Sequence, residues 1–257
     1  MIRLSVNVNK VATLRNSRGG RVPNVLEAVE KCLAAGAPGI TVHPRADRRH
    51  ITPEDVRQIA GALKGRDPHV ELNIEGDPRP DFLDLVREVK PDQCTLVPVV
   101  PGEITSQAGW RPGADADRLS GVVDDLRSRG IRVSVFIDAR VDRVRWAASI
   151  GADRVELYTE PYARAFEAGA LAAGRAFQVC VDAARLARSL GLGVNAGHDL
   201  DLENLVLFRT LPHLDEVSIG HAIISRALFV GLSTVVGQYL DLLGATRAVD
   251  AAGLRNG

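Results

Sequence analysis

The chain has 257 residues, of which 46% are hydrophobic but only 4% aromatic, and its 32 basic residues balance 32 acidic ones. This formal net charge of zero disfavours nucleic acid or an anionic membrane surface as a partner, because both attract proteins with a basic excess. The length suits one α/β barrel, whose core we expect to be built from valine, isoleucine, leucine and alanine.

The three cysteines, Cys32, Cys94 and Cys180, form neither a CxxC pair nor a Cys/His metal pattern. Because each lies in an apolar stretch, we expect buried, reduced thiols and a reducing compartment. The first ten residues lack a charged region followed by a long apolar stretch, so no signal peptide is predicted. No apolar run reaches the roughly 18 residues of a membrane span. A soluble cytoplasmic protein is therefore expected.

Short β-rich runs alternate with stretches of helical periodicity along the whole chain. The eight predicted strands cover residues 2–9, 39–44, 70–75, 93–98, 132–138, 154–159, 193–197 and 216–221. Eight such units favour a closed (β/α)8 TIM barrel of parallel strands with additional helices, in one domain over residues 1–257. The alternative, a Rossmann-like sheet, needs a GxGxxG turn after the first strand, where this chain reads VNKVATLRN.

Several helix boundaries carry clear signals. Thr52 is a predicted N-cap with Pro53 at the first helical position. Four helices are predicted to end at glycines, namely Gly36, Gly130, Gly151 and Gly191. The apolar stretch 222–243 predicts one final helix.

Histidines and carboxylates concentrate where the predicted strands end. His43 and His221 end the second and eighth strands, and His198 directly follows the seventh. Glu75 ends the third strand and Glu156 lies inside the sixth, where a carboxyl group must be paired or neutral. Because barrel active sites lie at the carboxyl ends of the strands, these residues predict acid/base chemistry there.

Two features on the same face predict a phosphorylated substrate. Gly220 and His221 lie where strand 8 meets its helix, and Gly197 lies in the neighbouring strand 7 loop, the two places where many barrels bind phosphate. The loops 13–21 and 43–51 are rich in arginine, which suits forked phosphate binding. No catalytic metal is predicted, because the histidines are scattered over loops and strand 1 lacks an HxH pair.

Long motifs in chain order carry a family resemblance. They are VNVNKVATLRNSRGG, GITVHPRADRRHIT, LNIEG, KPDQCTLVP, EITSQAG, VNAGHDLDLENL and IGHAIISRAL. Together they resemble the pyridoxine 5'-phosphate synthase family over about residues 2–240. The resemblance implies a (β/α)8 barrel that assembles as an octamer built from dimers. It also implies condensation of 1-deoxy-D-xylulose 5-phosphate with 3-amino-2-oxopropyl phosphate to pyridoxine 5'-phosphate, without metal or organic cofactor.

The resemblance also implies roles for single residues. His43 matches a catalytic base, and Glu75 matches a second acid/base group. His198 matches the proton donor, and Glu156 matches a glutamate that stabilises the transition state. The expected contacts to the amino-ketone phosphate are Asn7, Arg18, Gly220 and His221. The expected contacts to the deoxyxylulose phosphate are Arg45, His50 and Thr105.

Three positions depart from the family pattern. Many members read Asp-His where this chain has Asn9 and Lys10, a pair expected to contact the deoxyxylulose phosphate, and many have glycine where it has Asp199. These departures are the only support for one alternative to the enzyme, a phosphosugar-binding barrel without chemistry. A metal-dependent barrel hydrolase is a second alternative, which strand 1 disfavours because it lacks an HxH pair. The loop 98–114, which carries Thr105, is a candidate lid because it is long and rich in glycine and proline.

Overall fold

A computed structural model describes residues 1–98, 108–113 and 116–244 of the chain. Its eight strands are β1 Arg3–Asn7, β2 Gly39–Val42, β3 Glu71–Gly76, β4 Gln93–Leu96, β5 Arg132–Asp138, β6 Arg154–Tyr158, β7 Gly193–Gly197 and β8 Leu214–Ile219. They pair in parallel and in sequence order, and β1 also pairs with β8, which closes the sheet. The predicted barrel is therefore confirmed.

The helices of the described residues cover the outside of the barrel. They are α1 Asn9–Asn16, α2 Val25–Ala34, α3 Pro53–Leu63, α4 Pro80–Val89, α5 Ala116–Ser128, α6 Val141–Ser149, α7 Glu160–Glu167, α8 Ala170–Ser189, α9 Leu205–Phe208, α10 His221–Val230 and α11 Leu232–Gly244. The prediction of one final helix over 222–243 is wrong. Gly231 adopts a left-handed φ of 88°, which ends α10 and starts a separate helix.

The predicted helix boundaries at Thr52 and at the glycines are confirmed. The Thr52 side chain accepts a hydrogen bond from the Asp55 backbone, and Asp55 accepts one in return from the Thr52 backbone, which forms a capping box. Gly36, Gly130 and Gly151 follow their helices with positive φ, as does the fourth predicted glycine. These caps fix where each helix stops and the next strand begins.

The barrel has an aliphatic outer layer and a polar interior. Along β1, the buried Leu4 and Val6 pack in the hydrophobic core and flank Ser5, which alternation of side chains places on the inner face. The Ser5 hydroxyl is 2.6 Å from that of Thr41, and further hydroxyl and amide groups continue this chain across β3 and β4. The expected aliphatic core therefore lies between the sheet and the helices.

Charged side chains at the amino-terminal end of the barrel, opposite the predicted site, are bound by neighbouring polar side chains. Arg132 donates to Glu71 and to Gln93, and Arg154 donates to Asn195 at 2.8 Å. Charges at this end are thus matched by near neighbours, as expected for the face of a barrel that serves stability. Among the described residues, no helix is both long and apolar enough to cross a membrane.

Candidate active site

A cavity of about 760 Å³ opens at the carboxyl ends of the strands. Twelve of the residues predicted for the site line it: Asn7, Asn9, Lys10, His43, Arg45, His50, Glu75, Glu156, His198, Asp199, Gly220 and His221. Arg18 does not line it; this exposed residue follows α1. Thr105 and most of the candidate lid 98–114 lie outside the described residues.

His43 and Glu75 face each other across the ends of β2 and β3. The Nδ1 atom of His43 lies 3.9 Å from Oε2 of Glu75, and both side chains are about nine-tenths buried. Oε2 of Glu75 also accepts a 3.5 Å hydrogen bond from the Asn7 amide, while Oε1 accepts one from the Ser218 hydroxyl. Two titratable groups are thus held side by side at the floor of the cavity.

Burial raises the pKa of both glutamates of the site. Burial raises the pKa of Glu75 to about 8; the Ser218 hydrogen bond opposes this rise and the nearby Glu216 adds to it. Burial and the neighbouring Glu75 and Glu216 raise the pKa of Glu156 well above its ordinary value. Oε2 of Glu156 has no hydrogen-bond partner among the described residues. At neutral pH the requirement that a buried carboxyl group be paired or neutral is met at Glu75 by protonation, and the raised pKa of Glu156 favours its neutral form as well.

The imidazole of His43 is instead held neutral by its surroundings. Burial lowers its pKa well below the ordinary value, and electrostatic interactions with His50, Arg45, Arg79 and His198 lower it further. An unprotonated histidine beside a protonated carboxyl group is a base next to an acid, which is the arrangement needed to move protons in both directions.

His198 lies in a cluster of three aromatic rings. Its ring centroid is 4.9 Å from that of Phe136 and 5.3 Å from that of Tyr158. The Thr159 hydroxyl donates to the carbonyl of His198, whose φ is 80°. Burial lowers the pKa of His198, although Asp199 opposes this shift. The ring is therefore neutral and fixed in orientation at the cavity wall.

The opposite wall offers backbone donors and positive charge. Gly220 is the N-cap of α10, and His221 is the first residue of that helix rather than the end of the strand. A Cβ atom on Gly220 would lie 2.9 Å from the carbonyl oxygen of Asn7, so only glycine fits this approach. The amino terminus of a ten-residue helix attracts anions, and Lys10 and Arg45 also line the cavity.

Comparison with known proteins shows the family to which this chain belongs. The family described as "Pyridoxal phosphate biosynthesis protein PdxJ" matches residues 4–245. The chain belongs to the PdxJ family. It is 53% identical over 244 residues to a Bacteroides thetaiotaomicron protein named pyridoxine 5'-phosphate synthase, covering 95% of this chain and all of the relative. A Porphyromonas gingivalis protein of the same name is 52% identical, with 95% and 99% of the two chains covered.

Solved structures agree with the PdxJ-family barrel at the level of the fold. Phosphoribosyl anthranilate isomerase from Thermotoga maritima superposes with a TM-score of 0.61 at 15% identity, covering 95% of this chain and all of that one. The structure titled "Native KDPGal structure" gives a TM-score of 0.62 at 11% identity, with 96% of both chains covered. At these identities the likeness establishes the fold and nothing more about chemistry.

The departures of this PdxJ-family chain have structural consequences at two positions. The side-chain oxygen of Asn9 accepts a 2.9 Å hydrogen bond from the backbone N–H of His43. Asn9 therefore holds the end of β2. The carbonyl of Asp199 accepts a 2.8 Å hydrogen bond from the Asn204 amide, which fixes the backbone of Asp199 at a left-handed φ of 56°.

Sequence reasoning missed four residues that bear on the acid/base groups of the site. They are Phe136, Tyr158, Ser218 and Arg79, which surround the predicted acid/base groups. Tyr158 and Ser218 lie at or near the carboxyl ends of their strands, and that position is the signal that finds them. Within the ranges that the structure describes, no three His, Cys, Asp or Glu side chains cluster as a metal site would require.

Proposed function

We propose that the chain condenses 1-deoxy-D-xylulose 5-phosphate with 3-amino-2-oxopropyl phosphate to give pyridoxine 5'-phosphate, phosphate and water. The observation that carries this proposal is the buried pair of His43 and Glu75, 3.9 Å apart, inside a cavity with cationic walls. Two phosphorylated substrates need two anion sites, and imine and dehydration steps need several proton shuttles. Membership of the PdxJ family supports the same reaction, as do relatives named pyridoxine 5'-phosphate synthase.

The two phosphates bind at different places on the cavity wall. The phosphate of the amino ketone binds at the amino terminus of α10, where Gly220 and His221 present backbone N–H groups and Asn7 lies alongside. The phosphate of deoxyxylulose binds on the other side, at Arg45 and the basic loop after β2. The remaining contacts that the family resemblance implies for the two phosphates are Asn9, Lys10, Arg18, His50, Thr105 and Asp199.

The first bond forms between the amino group of one substrate and the ketone carbon of the other. Loss of water from the adduct gives an imine. His43 is unprotonated and accepts protons, while Glu75 has a pKa of about 8 and therefore enters the reaction as an acid at neutral pH. Exchange of protons between these two groups and the substrate then drives expulsion of phosphate.

The remaining steps are addition of water at the carbon that lost phosphate, ring closure by carbon–carbon bond formation, and loss of two water molecules as the ring becomes aromatic, so that two molecules of water are released overall. His198 packs against Phe136 and Tyr158 and is neutral in the free protein because burial lowers its pKa, so it accepts a proton in an earlier step and then donates it in the final dehydration. Glu156 stabilises the transition state as a neutral acid that donates a hydrogen bond, because its pKa is raised well above the ordinary value. A protonated carboxyl group can donate where a carboxylate only accepts.

The test is to incubate chelator-treated protein with both substrates and to detect pyridoxine 5'-phosphate. Product is expected from the wild type and from Arg57→Gln, a control that breaks an exposed ion pair with Glu88. His43→Ala and Glu75→Gln are expected to stop turnover while the fold persists. Substrate binding without product would favour the non-catalytic barrel, and activity on other substrates only with added metal would favour a hydrolase.

The assembly and location of the protein are part of the same proposal. We infer a cytoplasmic octamer built from dimers, as the family resemblance implies. Leu228 and Phe229, at the end of α10, are 70% and 88% exposed, and burial of such side chains would favour association. Light scattering at assay concentration measures the mass, and a monomer would contradict the octamer.

A further inference from the structure

Arg79 lies between β3 and α4, outside the set of residues with proposed roles. Its guanidinium forms ion pairs with Asp77 and Asp81, the latter at 3.0 Å, and lies 5.5 Å from the ring centroid of Phe82. It also donates a 2.7 Å hydrogen bond to the backbone carbonyl of Pro44. A guanidinium has enough donors in a fixed fork to serve all these partners at once, which an ammonium group cannot do.

The contact with Pro44 reaches across to the neighbouring loop. Pro44 is buried and directly follows His43, so its carbonyl is the first acceptor beyond the histidine. A buried carbonyl that loses its donor costs about 1–3 kcal/mol, which favours movement of the backbone toward another donor. Arg79 therefore fixes the chain immediately after His43.

The end of β3, directly after Glu75, is tightly packed against α4. Gly76 follows Glu75, and a Cβ atom at this position would lie 2.4 Å from the Phe82 ring. The same ring lies beneath the guanidinium of Arg79. Gly76 therefore packs directly against Phe82 at the end of β3, and Arg79, which contacts the same ring, connects this packed segment to the loop after β2.

We propose that Arg79 is a positioning residue that fastens the loop after β2 to the loop after β3 and so sets the separation of His43 and Glu75. The proposal rests on the proposed function, because it matters for catalysis only if this pair moves protons. A displacement of a catalytic group by about 1 Å can cost on the order of 100-fold in rate. One hydrogen bond between the two loops is therefore enough to affect turnover.

Arg79 also contributes charge to the site. The groups that face His43 are Arg45 and His50 from its own loop, Arg79 from the loop after β3, His198 from the loop after β7, and Glu75 at the end of β3. Positive charge opposes protonation of the imidazole. Removal of Arg79 therefore raises the pKa of His43, so that a larger fraction of the base is protonated at a given pH below neutrality.

The experiment compares Arg79→Gln and Arg79→Lys with the wild type and with Arg57→Gln. Arg57 joins α3 to α4 through an exposed pair with Glu88, 2.7 Å apart, and so matches the loss of one arginine ion pair away from the cavity. For Arg79→Gln we expect kcat to fall by about 10- to 100-fold while KM for each substrate changes less than about threefold. We also expect the acid limb of the kcat/KM profile to move to higher pH.

Arg79→Lys keeps the positive charge but loses the planar set of guanidinium donors. It is expected to return the acid limb to the wild-type position while restoring only part of kcat. Asp77→Asn, which leaves Arg79 in place but removes one of its anchors, is expected to lower kcat without moving the acid limb. A wild-type kcat in Arg79→Gln, or an equal loss in Arg57→Gln, would overturn the proposal.

A readout without turnover separates this proposal from the proposed function. Titration of isotopically labelled histidine by NMR, with the His43 signal assigned from its loss in His43→Asn, follows the imidazole directly. Its midpoint should rise in Arg79→Gln but not in Arg79→Lys. If the His43 midpoint rises in Arg79→Gln but the wild type makes no pyridoxine 5'-phosphate, the proposed function fails. The effect of Arg79 on the pKa of His43 would still stand. An unchanged midpoint would contradict the role of Arg79, whatever the protein catalyses.

Discussion

The backbone N–H of His43 donates a 2.9 Å hydrogen bond to the side-chain oxygen of Asn9, which itself follows β1. The Asn9 backbone is held in turn by Oδ1 of Asn7 at 3.0 Å. The end of β1 therefore positions the residue that follows β2. This relationship gives a structural reason why a carbonyl or carboxyl oxygen is needed at position 9.

Asn9→Asp is accordingly expected to keep turnover within about threefold of the wild type, because a carboxylate accepts the same hydrogen bond. Asn9→Ala leaves the N–H of His43 without its acceptor, at a cost of about 1–3 kcal/mol, and kcat should fall roughly tenfold. Steady-state kinetics on the three proteins check this. An alanine variant as active as the wild type would show that Asn9 does not hold His43.

The pH dependence of kcat/KM follows from the raised pKa of Glu75. Below about pH 8 the side chain keeps its proton and serves as an acid, and above it the acid is lost. We expect kcat/KM to fall about tenfold per pH unit on the alkaline side. Glu216→Gln removes a negative charge that raises this pKa, so the alkaline limb should move to lower pH. A flat profile from pH 7 to 9.5 would refute Glu75 as the initial acid.

Stability is linked to the same ionisation. The pKa of Glu75 is raised in the folded state from 4.5 to about 8, so the wild type loses stability as pH rises through this window. Glu75→Gln cannot ionise and escapes this loss, which amounts to about 5 kcal/mol at most. The free energy of unfolding in urea, measured at pH 5 and pH 9, should favour the variant at the higher pH. An equal difference at both pH values would contradict the shift.

Gly197 is predicted to be essential because of its contact with Glu156. A Cβ atom at Gly197 would lie 2.6 Å from Oε1 of Glu156 and 3.1 Å from the Ser218 carbonyl. Gly197→Ala should displace the carboxyl group and lower kcat by at least about tenfold. Gly174→Ala, inside α8 with nothing within 4 Å, is the matched control and should stabilise the protein by about 0.5–1 kcal/mol. Equal activity of the two variants would argue against the role of Glu156.

Much of the site could be predicted from the sequence because parallel strands in a barrel bring all their carboxyl ends to one face. His43, Glu75 and His198 lie at or just after three strand ends, and the structure places all three around one cavity. Arg18 shows the limit of this reasoning. It follows the same strand as Asn9 and Lys10, which line the cavity, but it lies on the surface beyond the end of α1 and does not line the cavity, because a position after a strand does not fix where a long connection runs.

The polar interior and the pKa values could not be predicted in the same way. In the sequence Ser5 is indistinguishable from an ordinary strand residue. Its role appears only once its hydrogen-bond partner Thr41, on the next strand, is known. The pKa of Glu75 depends on burial and on Glu216, which is 141 residues away in the chain. Both effects arise from through-space neighbours, and only the closed barrel defines which residues those are.

The sequence by itself determined the barrel, the face that carries the chemistry and the family to which the chain belongs, because these follow from local periodicity, strand ends and long motifs. Only the tertiary structure decided the distance between His43 and Glu75, their protonation states and the contact of Arg79 with Pro44. The physical reason is the distance along the chain between the groups that interact. Secondary structure is set by residues close in the chain, whereas desolvation, charge and hydrogen bonding at the site are set by groups from different strands and loops.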